Sequence, residues 1–506
     1  MSDKSVAEAL RSDARLVVVE APGGCGKTYQ GAEFARDAAP ALGGGRLLIL
    51  THTNAACDVF ANRTKGIGGS TEIRTIHGLI TEIAGAYHKA LGLPPDVGAW
   101  ARRNDGYDQL ASKVAALLAR KTFVATSLAS RYPVIICDEH QDADADQHAI
   151  IMSLHAAGAR LRVFGDPMQQ IYGARAKARD IEAASKRWTA LIEAACRFEE
   201  LDHPHRWDTG EPELGQWILQ ARKALKSGGQ VNLAGDLPRG LTVHVAENTA
   251  RTALGFATDG GSSPAIYRRS RLDQMLVLTG ANDTCTSLRA FFGRRIPIWE
   301  GHVRDHLGAL VISAKDHAGD PGKLAEATLE FLQNVGGGFT PSGQGKILVA
   351  DAGNGCTTRR KGMPELVQSM ARLIVDQPDH KGIAAALGRL RALKATEASF
   401  ADVHIHHARE LSEAIHLGSY DDPDDGFAEI ARRRTHARPQ VPDRAISTIH
   451  KAKGLEFDNV MVMPCNRSSF GDTTAARAKL YVAMSRAKRT LMLVVSDAQA
   501  SPLFIL

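Results

Sequence analysis

The run Val17-Val18-Val19-Glu20 leads straight into Ala21-Pro22-Gly23-Gly24-Cys25-Gly26-Lys27-Thr28, and no other stretch limits the fold as much. A short apolar run feeding a glycine-rich loop that ends in Gly-Lys-Thr predicts a strand, a phosphate-binding loop and a helix. Gly23, Gly24 and Gly26 allow the loop, Cys25 included, to turn its backbone N–H groups toward phosphate oxygens, and the helix N-terminus adds its dipole. The Lys27 side chain reaches the β- and γ-phosphates, and the Thr28 hydroxyl is a ligand for Mg²⁺. Ala21 stands where the strict pattern has glycine, and it is small enough to fit.

A loop of this kind belongs to parallel α/β architecture, whose buried strands read as continuous apolar runs. Such runs lie at 16–19, 46–50, 133–137, 161–164, 241–245, 459–463 and 490–495. With 506 residues the chain exceeds one typical core, so several domains are expected. Two stretches break the strand–helix alternation: an alanine-rich one from about 80 to 121, and a long, mainly helical one from about 276 to 440. The composition, 44% hydrophobic and 23% charged, is that of a globular chain, and no apolar run is long enough to span a bilayer. Seven cysteines without a Cys-x-x-Cys pair argue for a reduced, cytoplasmic protein lacking a zinc finger, with no membrane partner. The net charge of +6 is compatible with a polyanion partner without demanding one.

The second strong signal is Val134-Ile135-Ile136-Cys137-Asp138-Glu139. An apolar strand delivers adjacent acids to the carboxyl edge of the sheet, where ligands of such folds bind. Asp138 suits Mg²⁺, and Glu139 suits activation of the water that attacks a γ-phosphate. Adjacent acids also occur as plain solvated strand ends; the phosphate loop upstream tips the balance toward catalysis.

From here the chain resembles the UvrD/Rep-like superfamily 1 helicases, and the motifs follow in that family's order. Asp138-Glu139-His140-Gln141-Asp142 resembles motif II, Thr51-His52-Thr53-Asn54-Ala55 motif Ia, and Thr75-Ile76-His77-Gly78 motif Ib. The segment from Gly165 to Arg175 is similar to motif III, and Leu201-Asp202-His203-Pro204-His205-Arg206 keeps the spacing of motif IV. Thr448 to Phe457 resembles motif V, and Leu480 to Ala487 motif VI. The resemblance implies two RecA-like parallel-sheet P-loop motor domains with mainly helical accessory insertions. It places domain 1A at 1–79 and 122–182, insertion 1B at 80–121, domain 2A at 183–275 and 441–506, and insertion 2B at 276–440.

The resemblance further implies ATP and Mg²⁺ in a cleft between the motor domains. Gln169 would sense the γ-phosphate, while Arg206 and Arg486 would bring guanidinium groups to the charge that develops during hydrolysis. Gly454 and Glu456 would meet the ribose, and Tyr29 and His205 stand where a ring can stack on the base. Thr53, Thr75, His77, Thr448 and His450 match positions that face a DNA backbone in the family, contacts that hold phosphates without reading sequence, and His52 lies on the same DNA path. The alternative for each is a helix-capping threonine or a packed core histidine.

The chain also departs from the family. It has no glutamine upstream of the phosphate loop to read adenine, and His52 and Ala174 replace aromatic residues of the DNA path. Tyr172 and Trp207 are the nearby rings that could compensate. The function implied is a DNA-dependent ATPase that translocates on single-stranded DNA and unwinds tailed duplex 3′ to 5′. The alternative is a nucleotide-gated DNA sensor: in size and plan the chain is similar to the helicase subunit of the Gabija antiphage system, which works with a separate nuclease subunit. A P-loop kinase or GTPase leaves the motifs after residue 165 unexplained. The histidines at 404, 406 and 407 read as surface residues, and 421–426 as a solvated acidic loop.

Overall fold

A computed structural model of the chain describes residues 2–66, 70–101, 106–171, 178–246, 251–252, 255–256, 262–299, 305–436 and 442–506. The first apolar run is strand β1 (Leu16–Glu20), followed by β2 (Leu47–Thr51), β3 (Thr71–Thr75), β4 (Val134–Cys137), β5 (Arg160–Gly165) and β6 (Arg197–Glu200). They form one parallel sheet in the order β3-β2-β4-β5-β1-β6. Residues of β1, β2 and β4 are buried along their whole length because helices cover both faces, which is why these strands carry unbroken aliphatic runs. Since all six strands run the same way, every segment that leaves a carboxyl end emerges along one edge. That edge collects the residues after Glu20, Thr51, Thr75, Cys137, Gly165 and Glu200.

A second parallel sheet has the order Arg444–Thr448, Met275–Thr279, Phe457–Cys465, Ala487–Ser496, Leu241–Ala246. The chain divides into two compact units: residues 1–297 with 443–506, which hold both sheets, and residues 298–442. The second unit is built on a helical core that includes Leu324, Phe331, Met370, Leu387 and Phe400. Asp422 caps the Pro423–His436 helix by accepting from the Asp424 and Asp425 backbone N–H groups, so the acidic stretch at 421–426 opens a helix rather than forming a loop. His407 is buried there, 3.8 Å from Glu410, and is not the surface histidine expected.

Three expected boundaries move. Strand β6 pairs with β1, so the first domain runs to residue 200 and not 182. Its sequence, Arg-Phe-Glu-Glu at a sheet edge, is largely exposed and has no apolar run to announce it. Met275–Thr279 is a fully buried strand of the second sheet, so the long insertion starts at 298 rather than 276. The helices between 76 and 131 share one hydrophobic core with the first sheet, through residues such as Leu79, Leu110, Val114 and Val124 against Val18, Leu48 and Ile135. The stretch 80–121 is therefore part of the first domain's own packing. All seven cysteines are free thiols, and among the described residues no helix is long and apolar enough to cross a membrane.

Candidate functional site: a nucleotide cleft between two parallel sheets

The phosphate loop leaves β1 and enters the Lys27–Ala38 helix through Gly26, whose φ of 84° lies in the left-handed region. Gly24 has φ 87°, and a Cβ there would stand 2.7 Å from the Trp207 ring. Both positions therefore require glycine for backbone conformation, and Gly24 also for close approach. The loop is cradled from below by the segment that leaves β6: Arg206 N donates to Gly24 O at 3.0 Å, and His205 lies against Gly26. Cys25 is fully buried, and its backbone N–H closes the loop on Pro22 O at 3.1 Å. Burial pushes the Cys25 thiol up to about 12, so it is a packing group without thiolate character.

Lys27 meets both acids at the end of β4. Its ammonium lies 3.4 Å from Asp138 Oδ1 and contacts the Glu139 carboxylate directly. Burial opposes the lysine charge, but the two carboxylates outweigh it and hold Lys27 above its ordinary pKa. Asp138 is pushed up to about 6, by burial first and by neighbouring Glu139, with Lys27 working the other way. Burial would also raise Glu139, yet Lys27 and Lys453 overcome it and bring this group down to about 2. Glu139 thus stays an anion, as a group that must accept a proton from water requires. Its φ of 52° is a left-handed conformation that non-glycine residues adopt at a cost, typical of side chains aimed by a strained turn.

Gln141, which sequence reasoning passed over, fixes that aim. Its Nε2 donates to Glu139 Oε2 at 2.7 Å while its Oε1 accepts from Asp166 N at 3.0 Å, so one amide ties the ends of β4 and β5 together. Asp138 Oδ1 is buried without a well-placed hydrogen bond, and Thr28 offers a hydroxyl from the adjoining helix turn. These are hard oxygen donors, which fits Mg²⁺. When bound with nucleotide, that ion would neutralise phosphate charge.

A second network was also missed. Arg222, on the Pro212–Lys226 helix, donates to Asp166 Oδ1 and Glu20 Oε1, both at 2.6 Å, and all three side chains are almost completely buried. Asp166 in turn accepts from Gln169 Nε2 at 3.0 Å. An arginine in a helix interior gives no sequence signal of this kind, since its partners lie 56 and 202 residues away.

The second sheet supplies groups to the same cleft. Arg486 is buried, donating to Gln169 Oε1 at 3.3 Å, Ser485 Oγ at 2.8 Å and the Val482 carbonyl at 3.0 Å. No carboxylate pairs with it among the described residues, and burial followed by the nearby Arg206 lowers its pKa to about 10, so the cation persists at neutral pH. Arg206 pairs with Glu456 at 2.5 Å and also bonds the Ser485 carbonyl. The Tyr481 hydroxyl accepts from Gly23 N at 2.8 Å, and Lys453 pairs with Asp142 at 2.5 Å. The expected γ-phosphate sensor and the expected arginine finger are therefore in contact. Tyr29 is 56% exposed and His205 is exposed, and no bond or ring contact joins them. Gly454 is left-handed, with open space where a Cβ would be.

The DNA-facing candidates lie on the same carboxyl edges. Thr53 and Thr75 cap the helices that follow them, accepting from Ala56 N at 3.2 Å and Gly78 N at 3.1 Å. Each hydroxyl keeps its proton for donation to a phosphate, so capping and DNA contact are compatible. His52 is half-buried, and burial lowers its pKa. His77 lies 3.3 Å from the Gln147 amide and edge-on to Tyr107. Thr448 is buried, its Oγ1 accepting from Lys451 N at 3.4 Å, and His450 is partly exposed two residues on. Trp207 is fully buried and donates to the Ala487 carbonyl at 2.8 Å, so it cannot stack on DNA as expected. Tyr172 and Ala174 lie outside the described residues.

A phosphate loop and paired acids on one parallel sheet, met by Arg486 from a second, define a two-domain RecA-like P-loop protein. The family model described as the UvrD/REP helicase N-terminal domain matches residues 97–187, and that of the UvrD-like helicase C-terminal domain matches 444–494. These matches, together with the motif order, make the chain similar to the UvrD/Rep-like superfamily 1 helicases and support a DNA helicase or ATPase in general. No curated protein matches it.

Proposed function

We propose that this protein hydrolyses ATP with Mg²⁺ at the Lys27–Asp138–Glu139 edge and uses the cycle to move along single-stranded DNA, 3′ to 5′, displacing the complementary strand. The observation that carries this reading is the meeting of Arg486, from the second sheet, with Gln169 from the first. A γ-phosphate beside Gln169 would lie within reach of that guanidinium, so hydrolysis and the spacing of the two sheets are linked. Lys27 holds the acid pair in the meantime, and incoming phosphates would draw it away from Glu139, freeing the carboxylate to orient water. His52, Thr53, Thr75, His77, Thr448 and His450 would hold the DNA backbone. Turnover with and without single-stranded DNA, beside strand displacement on 3′- and 5′-tailed duplexes, tests the reading. DNA-stimulated turnover with displacement of the 3′-tailed substrate supports it; turnover indifferent to DNA overturns it.

One observation favours a second reading, a nucleotide-gated DNA sensor that controls a partner nuclease. Among the described residues, the helices at 76–131 are packed into the first domain's core and form no separate body there to engage a duplex. DNA-stimulated turnover without displacement of either tailed duplex is the outcome that selects it.

A further inference from the structure

Below the phosphate loop, the segment leaving β6 carries a set of side chains that make no contact with the Lys27, Asp138 and Glu139 groups. His203 Nε2 lies 2.8 Å from Asp208 Oδ1, and His205 Nδ1 lies 3.2 Å from Asp208 Oδ2. One ligand atom from each of the three residues falls within 4.8 Å of the others, and all three residues are exposed. Donor atoms of a tetrahedral site with metal–nitrogen bonds near 2.0–2.1 Å stand about 3–3.5 Å apart, so these groups need only small adjustments to share an ion.

We propose that His203, His205 and Asp208 form a three-ligand site for a divalent transition-metal ion of the zinc class. The second nitrogen of His205 supplies the independent support. Its Nε2 lies 2.9 Å from Asp3 Oδ2, and Asp3 is itself held through Oδ1 by Gln30 Nε2 at 3.3 Å. A carboxylate on the far side of the imidazole fixes the tautomer with Nε2–H and presents the Nδ1 lone pair toward Asp208, the arrangement that orients metal-bound histidines. The backbone between the ligands is rigid: Pro204 and Trp207 are buried, and Arg206 N is bonded to Gly24 O. Two imidazoles and one carboxylate suit zinc, cobalt or nickel and select against Mg²⁺, which prefers oxygen ligands throughout. An ion here would pin the segment that presents Arg206 against the phosphate loop.

The test uses the full chain without a polyhistidine tag, titrated with Co²⁺ in excess Mg²⁺ and without nucleotide. Visible d–d absorption that saturates at one ion per chain is expected for the unsubstituted protein. The absorption should vanish in His203→Ala and Asp208→Asn, and Asp3→Asn should bind roughly 10–100-fold more weakly. All these side chains are exposed or half-exposed, so thermal unfolding in chelator should be unchanged and reports that the variants are folded. Absence of absorption in the unsubstituted protein overturns the proposal. So does a signal that survives in both His203→Ala and Asp208→Asn, or one that disappears instead in His404→Ala, whose histidine lies in the other unit.

Discussion

Lys27 holds the most informative single contact, because one ammonium bridges two carboxylates that otherwise repel each other and offsets part of their charge. Lys27→Ala and Glu139→Gln are both expected to abolish turnover, by different routes. Loss of Lys27 removes charge-assisted contacts to phosphate and leaves the acids uncompensated beside it, so nucleotide affinity falls with the rate. Loss of the Glu139 carboxylate removes the group that activates water and spares the phosphate contacts, so ATP should remain bound and unhydrolysed. Nucleotide binding by filter retention, beside single-turnover hydrolysis, separates the two. Near-normal turnover in Glu139→Gln would remove it from the role of base. The residue types at this edge were readable in the sequence; the Gln141 amide that joins Glu139 to the β5 end was not, since its meaning depends on two strands lying side by side.

At the scale of elements, the Pro212–Lys226 helix acts through Arg222. Arg222→Met would leave Asp166 and Glu20 buried, with Gln169 and Lys226 as their remaining side-chain partners. A loss of about 3 kcal/mol is expected, the lower end for breaking a buried pair, because those partners persist. Urea unfolding measures it, and an unchanged midpoint would show that the network adds nothing to stability. The turn after β4 carries a second prediction. His140 is buried 3.0 Å from His148, and burial, followed by the charges of His148, His52 and Arg187, drives its pKa down to about 3 from an ordinary 6.5. The unfolded chain binds the proton first, so the stabilisation is complete above 6.5 and is lost as the pH falls from there toward 3. The slope should approach about 1.4 kcal/mol per pH unit for this proton. His140→Gln should flatten it, and an equal slope in that variant would assign the acid sensitivity to other groups.

For the molecule as a whole, the contacts between the two sheets centre on Arg486. Arg486 has carbonyl, amide and hydroxyl partners but no acid among the described residues, an arrangement that keeps a cation ready for an anion. Arg486→Ala should therefore leave ATP binding largely intact while hydrolysis falls by about 10³–10⁵, the range for arginine fingers in related chemistry. Equilibrium binding and the rate per bound ATP are the two measurements; lost binding with an unchanged rate per bound nucleotide would assign Arg486 to the ground state.

Sequence alone determined the parts whose chemistry is local. The strand and glycine loop at 17–28, the acids after the 134–137 run and strands at about 46–50 and 459–463, which the structure shows as Leu47–Thr51 and Phe457–Cys465, all follow from apolar runs and from residue types that few other folds require. Only the tertiary structure decided which distant groups meet. The edge strand β6 was invisible because it has no apolar pattern. The apolar run at 275–279 that moves the insertion start to 298 was present in the sequence and gained its meaning only from pairing in the second sheet. Trp207 was expected as a ring for DNA, and close packing against Gly24 makes it core. Arg222 with Glu20, and His203 with Asp208 and Asp3, become meaningful only when parallel strands bring their carboxyl ends to one edge, because charge and coordination act over a few ångströms in space and carry no periodicity along the chain.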